Sequence, residues 1–136
     1  MTINKFIVPI DPVPASRPRV TRWSTFYSKK YTQFKKDMAI WVITQPKHLL
    51  SHHVVLSATF YIKIPTSMSK KKKIALEGQY CDKNIDIDNL LKALFDGING
   101  HIIEDDRFIV KIKDTEKIWS SNPRIEFLVY ENLSTP

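Results

Sequence analysis

The chain has 136 residues, 43% of them apolar, so it can bury one hydrophobic core and is short for two domains. We treat residues 1–136 as a single domain. Its 21 Lys and Arg against 14 Asp and Glu give a net charge of +7, which favours an anionic partner, with nucleic acid ahead of a membrane surface. One cysteine excludes an internal disulfide, and no apolar run reaches the roughly 18 residues of a membrane span, so we expect a cytoplasmic protein.

The N-terminal part predicts a strand, a long loop and a helix. Residues 3–10 alternate as a strand does and end among prolines. The loop at 11–28 interleaves aromatic residues with three arginines: Arg17, Arg19 and Arg22. That mixture suits phosphate contact and base stacking, although loop aromatics also commonly fix a loop onto the core, and both interpretations stay open. Residues 31–43 carry apolar side chains at three-to-four spacing, which predicts an amphipathic helix.

The middle of the chain predicts a strand at 54–64 and then a short lysine-rich helix. Ser69 is a suitable N-cap, and four cations follow it: Lys70, Lys71, Lys72 and Lys73. Cations at a helix N-terminus oppose the helix dipole, so this helix is either weak or close to phosphates. A solvated lysine loop is the alternative. We regard the four lysines, like the three arginines, as candidates for DNA binding.

The C-terminal part predicts a helix that ends at residue 98 and strands at 107–113 and 125–130. In the helix the leucines share one face, and the opposite face carries polar side chains: Asp88, Asn89, Lys92 and Asp96. The order strand, helix, strand, helix, helix, strand, strand indicates an α+β domain, a small mixed β-sheet with helices packed on it.

The acidic residues are concentrated in one stretch. Residues 82–106 contain seven acids and two bases, a net charge of −5, whereas the rest of the chain carries +12. A basic body with one acidic island suits a metal-dependent enzyme that acts on a polyanion. A solvated acidic face is the common alternative for such a run.

Chain lengths favour the return of Asp106 to the start of this helix. The helix rises about 15 Å over residues 88–98. An extended chain over residues 101–106 descends about 16 Å if residues 99–100 reverse the direction. Alternation then places Asp106 on the side of Phe108, Val110 and Ile112, which we expect to face the core. Three carboxylates should therefore cluster: Asp86, Asp88 and Asp106.

Such a cluster needs a cation, because close carboxylates repel one another. Oxygen ligands alone select a hard ion, so we expect Mg²⁺, with Mn²⁺ as a substitute, and hold Asp105 in reserve as a ligand. The ion would activate water for attack on a phosphodiester. Asn89 would position a ligand or water, and Lys92 would stabilise developing charge. For Asp96 we favour a role at the solvent-exposed surface of the helix and none in catalysis.

These residues resemble the RusA family of Holliday-junction resolvases, found in bacteria and their prophages. The family pattern is an Asp-x-Asp-Asn that opens a helix, a Lys three residues later, an Asp four further on and then an Asp-Asp pair. Here these are Asp86, Asp88, Asn89, Lys92, Asp96, Asp105 and Asp106. The likeness extends to the proline and arginine segment at 14–20 and to the Ser-Lys-Lys-Lys-Lys segment at 69–73.

The resemblance implies a homodimer that binds branched DNA, cuts two strands of a four-way junction with Mg²⁺ and acts in DNA recombination and repair. Within it, the essential acids correspond to Asp86, Asp88 and Asp106, with Asn89 and Lys92 in support. The rival hypothesis is a non-catalytic basic DNA-binding module. A small-molecule phosphohydrolase of the Asp-x-Asp kind would need a larger doubly wound sheet than this chain can form.

Overall fold

A computed structural model describes residues 2–17, 19–23, 25–26 and 28–133, without the side chains of residues 19, 25 and 26. A four-stranded sheet organises these residues, with strand order β1-β6-β4-β5. The strands are β1 (Asn4–Val8), β4 (Val54–Lys63), β5 (Ile109–Ser120) and β6 (Arg124–Glu131). β6 pairs antiparallel with β1 and β4, whereas β4 and β5 are parallel, so the sheet is mixed.

Three helices complete the fold: α1 (Lys29–Val42), α2 (Lys70–Leu76) and α3 (Ile87–Ile98). α1 and α3 pack against each other, and their apolar faces join the inner side of the sheet in one core. Phe6, Phe127 and Ala58 form one row across that side of the sheet, and all three are buried. The polar face of α3 stays accessible.

The sequence-based expectations for class and element order are confirmed. The protein is α+β, and each predicted strand and helix has its counterpart, with ends shifted by a few residues except in β5, which continues to Ser120 instead of ending at 113. The leucine face of α3 is buried as expected. The short lysine segment is a helix, with Ser69 Oγ accepting a hydrogen bond from the Lys72 amide at 3.3 Å, so the loop alternative is wrong.

The approach to β5 differs from the expectation. The strand begins at Ile109, and Asp106–Phe108 form a 3₁₀ turn, so Asp106 does not lie on a strand. The alternation argument for Asp106 is therefore wrong. Val110 and Ile112, predicted to face the core, are 61% and 46% exposed, whereas Ile109 packs against the core, so the alternation at the start of β5 is the opposite of the expected one.

The segment before α1 contains a small hairpin, whereas its prolines led us to expect only a loop. Its strands are β2 (Arg19–Val20) and β3 (Thr25–Phe26), paired antiparallel. Trp23 is 84% exposed, and the guanidinium carbon of Arg22 lies 5.3 Å from the centre of its indole ring. This aromatic residue is not fixed onto the core, which leaves its face accessible for stacking.

Candidate active site

Two acidic residues at the start of α3 have few hydrogen-bond partners among the described residues. Asp86 is the N-cap residue, but its side chain makes no capping hydrogen bond to the described residues, so its carboxylate does not cap the helix. Asp88 lies in the first turn and accepts one hydrogen bond, from the Asn89 amide at 2.9 Å. Both side chains are exposed. The helix dipole favours negative charge at this end.

The backbone on either side of these acids is held in place. Lys117 on β5 donates from Nζ to the carbonyl oxygens of Lys83 and Ile85, at 3.1 and 2.6 Å, just before Asp86. The amide of Ala15 donates to the carbonyl oxygen of Asn89 at 2.9 Å. The entry to α3 is thus tied to the edge strand and to the proline-rich segment, which fixes the position from which the two carboxylates project.

A second polar group lies further along the same helix face. Lys92 Nζ is 3.7 Å from Asp96 Oδ2, one turn later, and both side chains are more than one-third exposed. Tyr31, buried on α1, donates its hydroxyl to the same Asp96 oxygen at 3.1 Å. Asp96 therefore has specific partners and does more than interact with solvent, in contrast to the role that the sequence favoured.

Asp105 and Asp106 form an interacting pair at the turn before β5. Burial raises the pKa of Asp106, as do its hydrogen bond with Asp105 and the negative charges of Asp105 and Asp96, while a hydrogen bond from Asn99 opposes the rise. The pKa of Asp105 is lowered, chiefly by the backbone N–H of Arg107, which donates to Asp105 Oδ1 at 3.1 Å. Asp106 is thus the member of the pair that holds a proton more readily.

The expected cluster of Asp86, Asp88 and Asp106 does not form in this structure. Asp106 interacts with Asp96 and Asn99, which lie toward the end of α3, about 12 Å or more along the helix axis from Asp88. Over the described ranges, no three Asp, Glu, His or Cys side chains are close enough to hold a metal ion. The physical reason is that the chain turns directly after α3 instead of returning extended, because the amides of Ile102 and Ile103 both donate to the carbonyl oxygen of Ile98, at 3.1 and 3.3 Å.

The predicted DNA-binding residues are solvent-facing where the structure describes them. Arg17 and Arg22 are exposed, and the side chain of Arg19 lies outside the described part of the chain. In α2, Lys70, Lys71 and Lys72 are exposed and Lys73 is half-buried. The first turn of this helix contains no acid to offset the lysines.

Sequence reasoning missed four residues around the two acidic ends of α3. Lys30 and Lys83 line a cavity of about 400 Å³ that also contains Asp86 and Asn89. The helical spacing predicts only a core position for Tyr31, and the chain lengths predict only a reversal at Asn99. Lys83 is one of only two bases in the acidic stretch, which is a signal that could have drawn attention to it.

Comparison with known proteins identifies the family. Residues 9–130 match the family of endodeoxyribonuclease RusA, which is nearly the whole chain. The chain belongs to this RusA family. The matched range includes both acidic groups of α3 and the turn at Asp106, as well as the arginines and lysines considered for DNA binding. Membership supports nuclease chemistry on DNA as the activity class.

A curated protein is similar over almost its entire length. The uncharacterized protein YqaN of Bacillus subtilis (strain 168) is 29% identical over 144 residues, an alignment that covers 96% of this chain and 98% of YqaN. The likeness to YqaN therefore extends over nearly the full length of both chains. None of the described helices is both long and apolar enough to pass through a membrane.

Proposed function

We propose that this RusA-family protein is a Mg²⁺-dependent endodeoxyribonuclease that resolves four-way DNA junctions as a homodimer in recombination and repair. It would bind branched DNA and hydrolyse one phosphodiester in each of two strands, and Mn²⁺ would substitute for Mg²⁺. The two-fold symmetry of a dimer would match the paired cuts that a junction requires.

The observation that carries the proposal is the carboxylate pair Asp86 and Asp88, in a chain whose family acts as endodeoxyribonucleases. Both side chains are exposed at one helix end, and within the described residues neither is ion-paired. Carboxylates left free at an accessible edge are available as ligands. The surrounding positive charge of the chain attracts the phosphates on which such a site would act.

The donor chemistry of this pair fits a magnesium ion. Mg²⁺ is bound through one or two carboxylates together with water and substrate oxygens, so Asp86 and Asp88 are sufficient protein ligands. The family pattern also proposes Asp106 as a third ligand and Asp105 as a reserve ligand, a role that requires the turn before β5 to move toward the start of α3 when the ion binds. When bound, the ion supplies an activated water and offsets charge on the phosphoryl oxygens.

The neighbouring residues of α3 supply positioning and positive charge. Asn89 is half-buried beside Asp86 and lines the same small cavity, where its amide would orient a water or a substrate oxygen. Lys92 would stabilise negative charge on the phosphate or the leaving oxygen. Its ammonium group lies 3.7 Å from the Asp96 carboxylate, an exposed ion pair that biases the lysine toward this position without fixing it.

The test is cleavage of a synthetic four-way junction, labelled on each strand in turn. We expect paired cuts in two strands with Mg²⁺ or Mn²⁺ and none with EDTA. Asp88→Asn should lower the rate by about 100-fold or more while junction binding is kept or strengthened. Asp82→Asn removes the same charge from an exposed position nearby and should cut normally. Junction DNA left intact by the wild type across both metals would overturn the proposal.

The separation of Asp106 from Asp86 and Asp88 favours one rival, a basic module that binds DNA without cutting it. In that case the acidic residues only cap the helix and face solvent. The rival predicts junction binding by the wild type with no cleavage in any metal, and an Asp88→Asn variant that behaves as the wild type does. The same experiment therefore decides between the two functions.

A further inference from the structure

A groove leads from the surface of the protein to the proposed catalytic end of α3. Its larger part, about 880 Å³, lies between the proline-rich segment after β1, the start of α1 and the end of β4. Its smaller part, about 400 Å³, reaches Asp86 and Asn89. The two parts share five lining residues, so they form one continuous depression: Val13, Pro14, Lys30, Lys83 and Ile85.

Two lysines stand where the parts of the groove meet. Lys30 and Lys83 line both, and their side chains are exposed. In the described part of the chain the ion pairs are Lys92 with Asp96 and Arg124 with Glu126, so neither groove lysine is paired there. An ammonium group without a counter-ion at a concave surface is a suitable contact for a phosphate.

The remainder of the groove combines a third cation with apolar walls. Lys63 lines the larger part, together with proline rings and Ile62. Asp11 and Asp37 also line the larger part; Asp37 accepts a hydrogen bond from Gln33 at 2.9 Å, and within the described residues neither carboxylate is ion-paired with a groove lysine. Cations that follow a backbone and apolar surfaces that contact sugars and bases are the features with which proteins bind single strands.

The size of the groove decides which form of nucleic acid it can hold. Its larger part lies in the range of cavities that accept compact ligands, roughly 300–1,000 Å³, and is too small for a duplex. A few nucleotides of an extended strand are of suitable size. A junction supplies such a strand when a few base pairs open at the point where its arms exchange, whereas continuous duplex stacks on both sides of every base pair and resists that opening.

We propose that this groove binds a single DNA strand and directs it to Asp86. Lys30 and Lys83 bind the phosphates next to the one that is cut, and Lys63 binds a phosphate further along. The inference rests on the proposed nuclease function and adds the path of the strand and its contacts. Neither lysine belongs to the residues that the sequence indicated for DNA binding.

The test uses the double variant Lys30→Ala/Lys83→Ala and measures binding to a short single-stranded oligonucleotide and to a four-way junction, in EDTA. The loss of two phosphate contacts should lower the salt dependence of single-strand binding by about 1.4 in the slope of log affinity against log salt. The Arg replacements at both positions should restore it. Lys36→Ala, on another face of α1 and also exposed, should leave the slope unchanged.

The outcomes separate this inference from the proposed function. Equal single-strand affinity and slope in the double alanine variant and in Lys36→Ala would overturn the groove assignment, even if the wild type cuts junctions. An acidic peptide as the true occupant would give that same result. Weakened binding in the double variant with no cleavage by the wild type would support the groove and refute the nuclease. Thermal melting of each variant checks that these exposed substitutions leave the fold intact.

Discussion

The hydroxyl of Tyr31 donates a hydrogen bond to Asp96 Oδ2 at 3.1 Å, across the contact between α1 and α3. The same oxygen is 3.7 Å from Lys92 Nζ, so Asp96 connects a buried tyrosine to an exposed lysine. Tyr31 is only 3% exposed and cannot move away without disturbing the core. The direction in which Lys92 extends is thus related to the packing of the two helices.

Removal of the Tyr31 hydroxyl should therefore affect both stability and activity. We expect Tyr31→Phe, which keeps the ring, to lower the free energy of unfolding by about 1 kcal/mol, the typical net value of one hydrogen bond. Cleavage should fall several-fold in kcat with KM little changed, because Lys92 would no longer be held by an oriented carboxylate. Urea unfolding and junction cleavage measure the two effects.

The matched control is Asp96→Asn, which retains an acceptor for Tyr31 and removes the charge that attracts Lys92. It should affect cleavage at least as much as Tyr31→Phe and stability less. The double variant should cost less than the two single variants together, because both act through one network. Strictly additive effects on cleavage would show that Tyr31 and Asp96 act independently.

The raised pKa of Asp106 predicts a pH-dependent gain from its replacement. A carboxyl whose pKa is higher in the folded state supports stability below its unfolded pKa, and that support is lost as pH rises through the folded pKa. Above the folded pKa the charged Asp106 carboxylate destabilises the folded state, and Asp106→Asn removes that destabilisation. Without metal, the variant should melt a few degrees above the wild type at pH 7.5 and close to it at pH 3.5. Thermal scans in EDTA at the two pH values measure the difference.

Magnesium provides the control for that prediction. If Asp106 is a ligand, added Mg²⁺ stabilises the wild type by mass action and stabilises Asp106→Asn less. The difference in melting temperature between Asp106→Asn and the wild type at pH 7.5 should then narrow or reverse. A gap that is the same at both pH values would instead attribute the effect of the substitution to packing.

The start and apolar face of α3 were predictable because their signals are local. The leucines recur at helical spacing, and the reversal after the helix uses Gly100 at a φ of +82°, which glycine adopts easily. The turn at Asp106 was not predictable in this way. It depends on Asp105 accepting the amide hydrogen of Arg107, a single polar contact that competes with an extended chain.

The groove and the Tyr31 contact were hidden for another reason. Lys30 and Lys83 come from distant parts of the chain, and Tyr31 and Asp96 lie on different helices. No periodicity within either segment shows that they meet. Likewise the part of β5 beyond residue 113 begins with a polar and charged run at 114–117, and the pairing of β5 with β4 is parallel and non-local, so alternation alone could not extend the strand to Ser120.

We expect the lysines of α2 to lower the stability of the protein and to raise its affinity for DNA. Three exposed cations at the start of a helix oppose its dipole, so Lys70→Ala/Lys71→Ala/Lys72→Ala should raise the melting temperature slightly. If these lysines contact phosphates, the slope of junction binding against salt should fall by about 2.7. A triple variant at exposed positions elsewhere serves as the control: Lys5→Ala, Lys36→Ala and Lys47→Ala. Equal slopes in the two triple variants would assign the α2 lysines to solvent.

The contact between α1 and α3 depends on the absence of a side chain at Gly97. A Cβ at this position would lie 2.6 Å from Met38 Cε, 3.2 Å from its Cβ and 3.3 Å from its Cγ. Met38 is completely buried, so its side chain cannot move into solvent. Alanine would favour the helix by about 1 kcal/mol over glycine, but this gain is smaller than the cost of overpacking, about 1–3 kcal/mol.

We therefore expect Gly97→Ala to lower stability by about 1 kcal/mol in urea unfolding. Met38→Ala leaves space at the contact and is itself destabilising by about 2–5 kcal/mol. In that background Gly97→Ala should become neutral or stabilising, because only the gain in helix propensity remains. Since Asp96 precedes Gly97, the single variant should also reduce cleavage, and the double variant should recover part of it. An equal loss of stability from Gly97→Ala in both backgrounds would mean that Met38 does not set the spacing of the two helices.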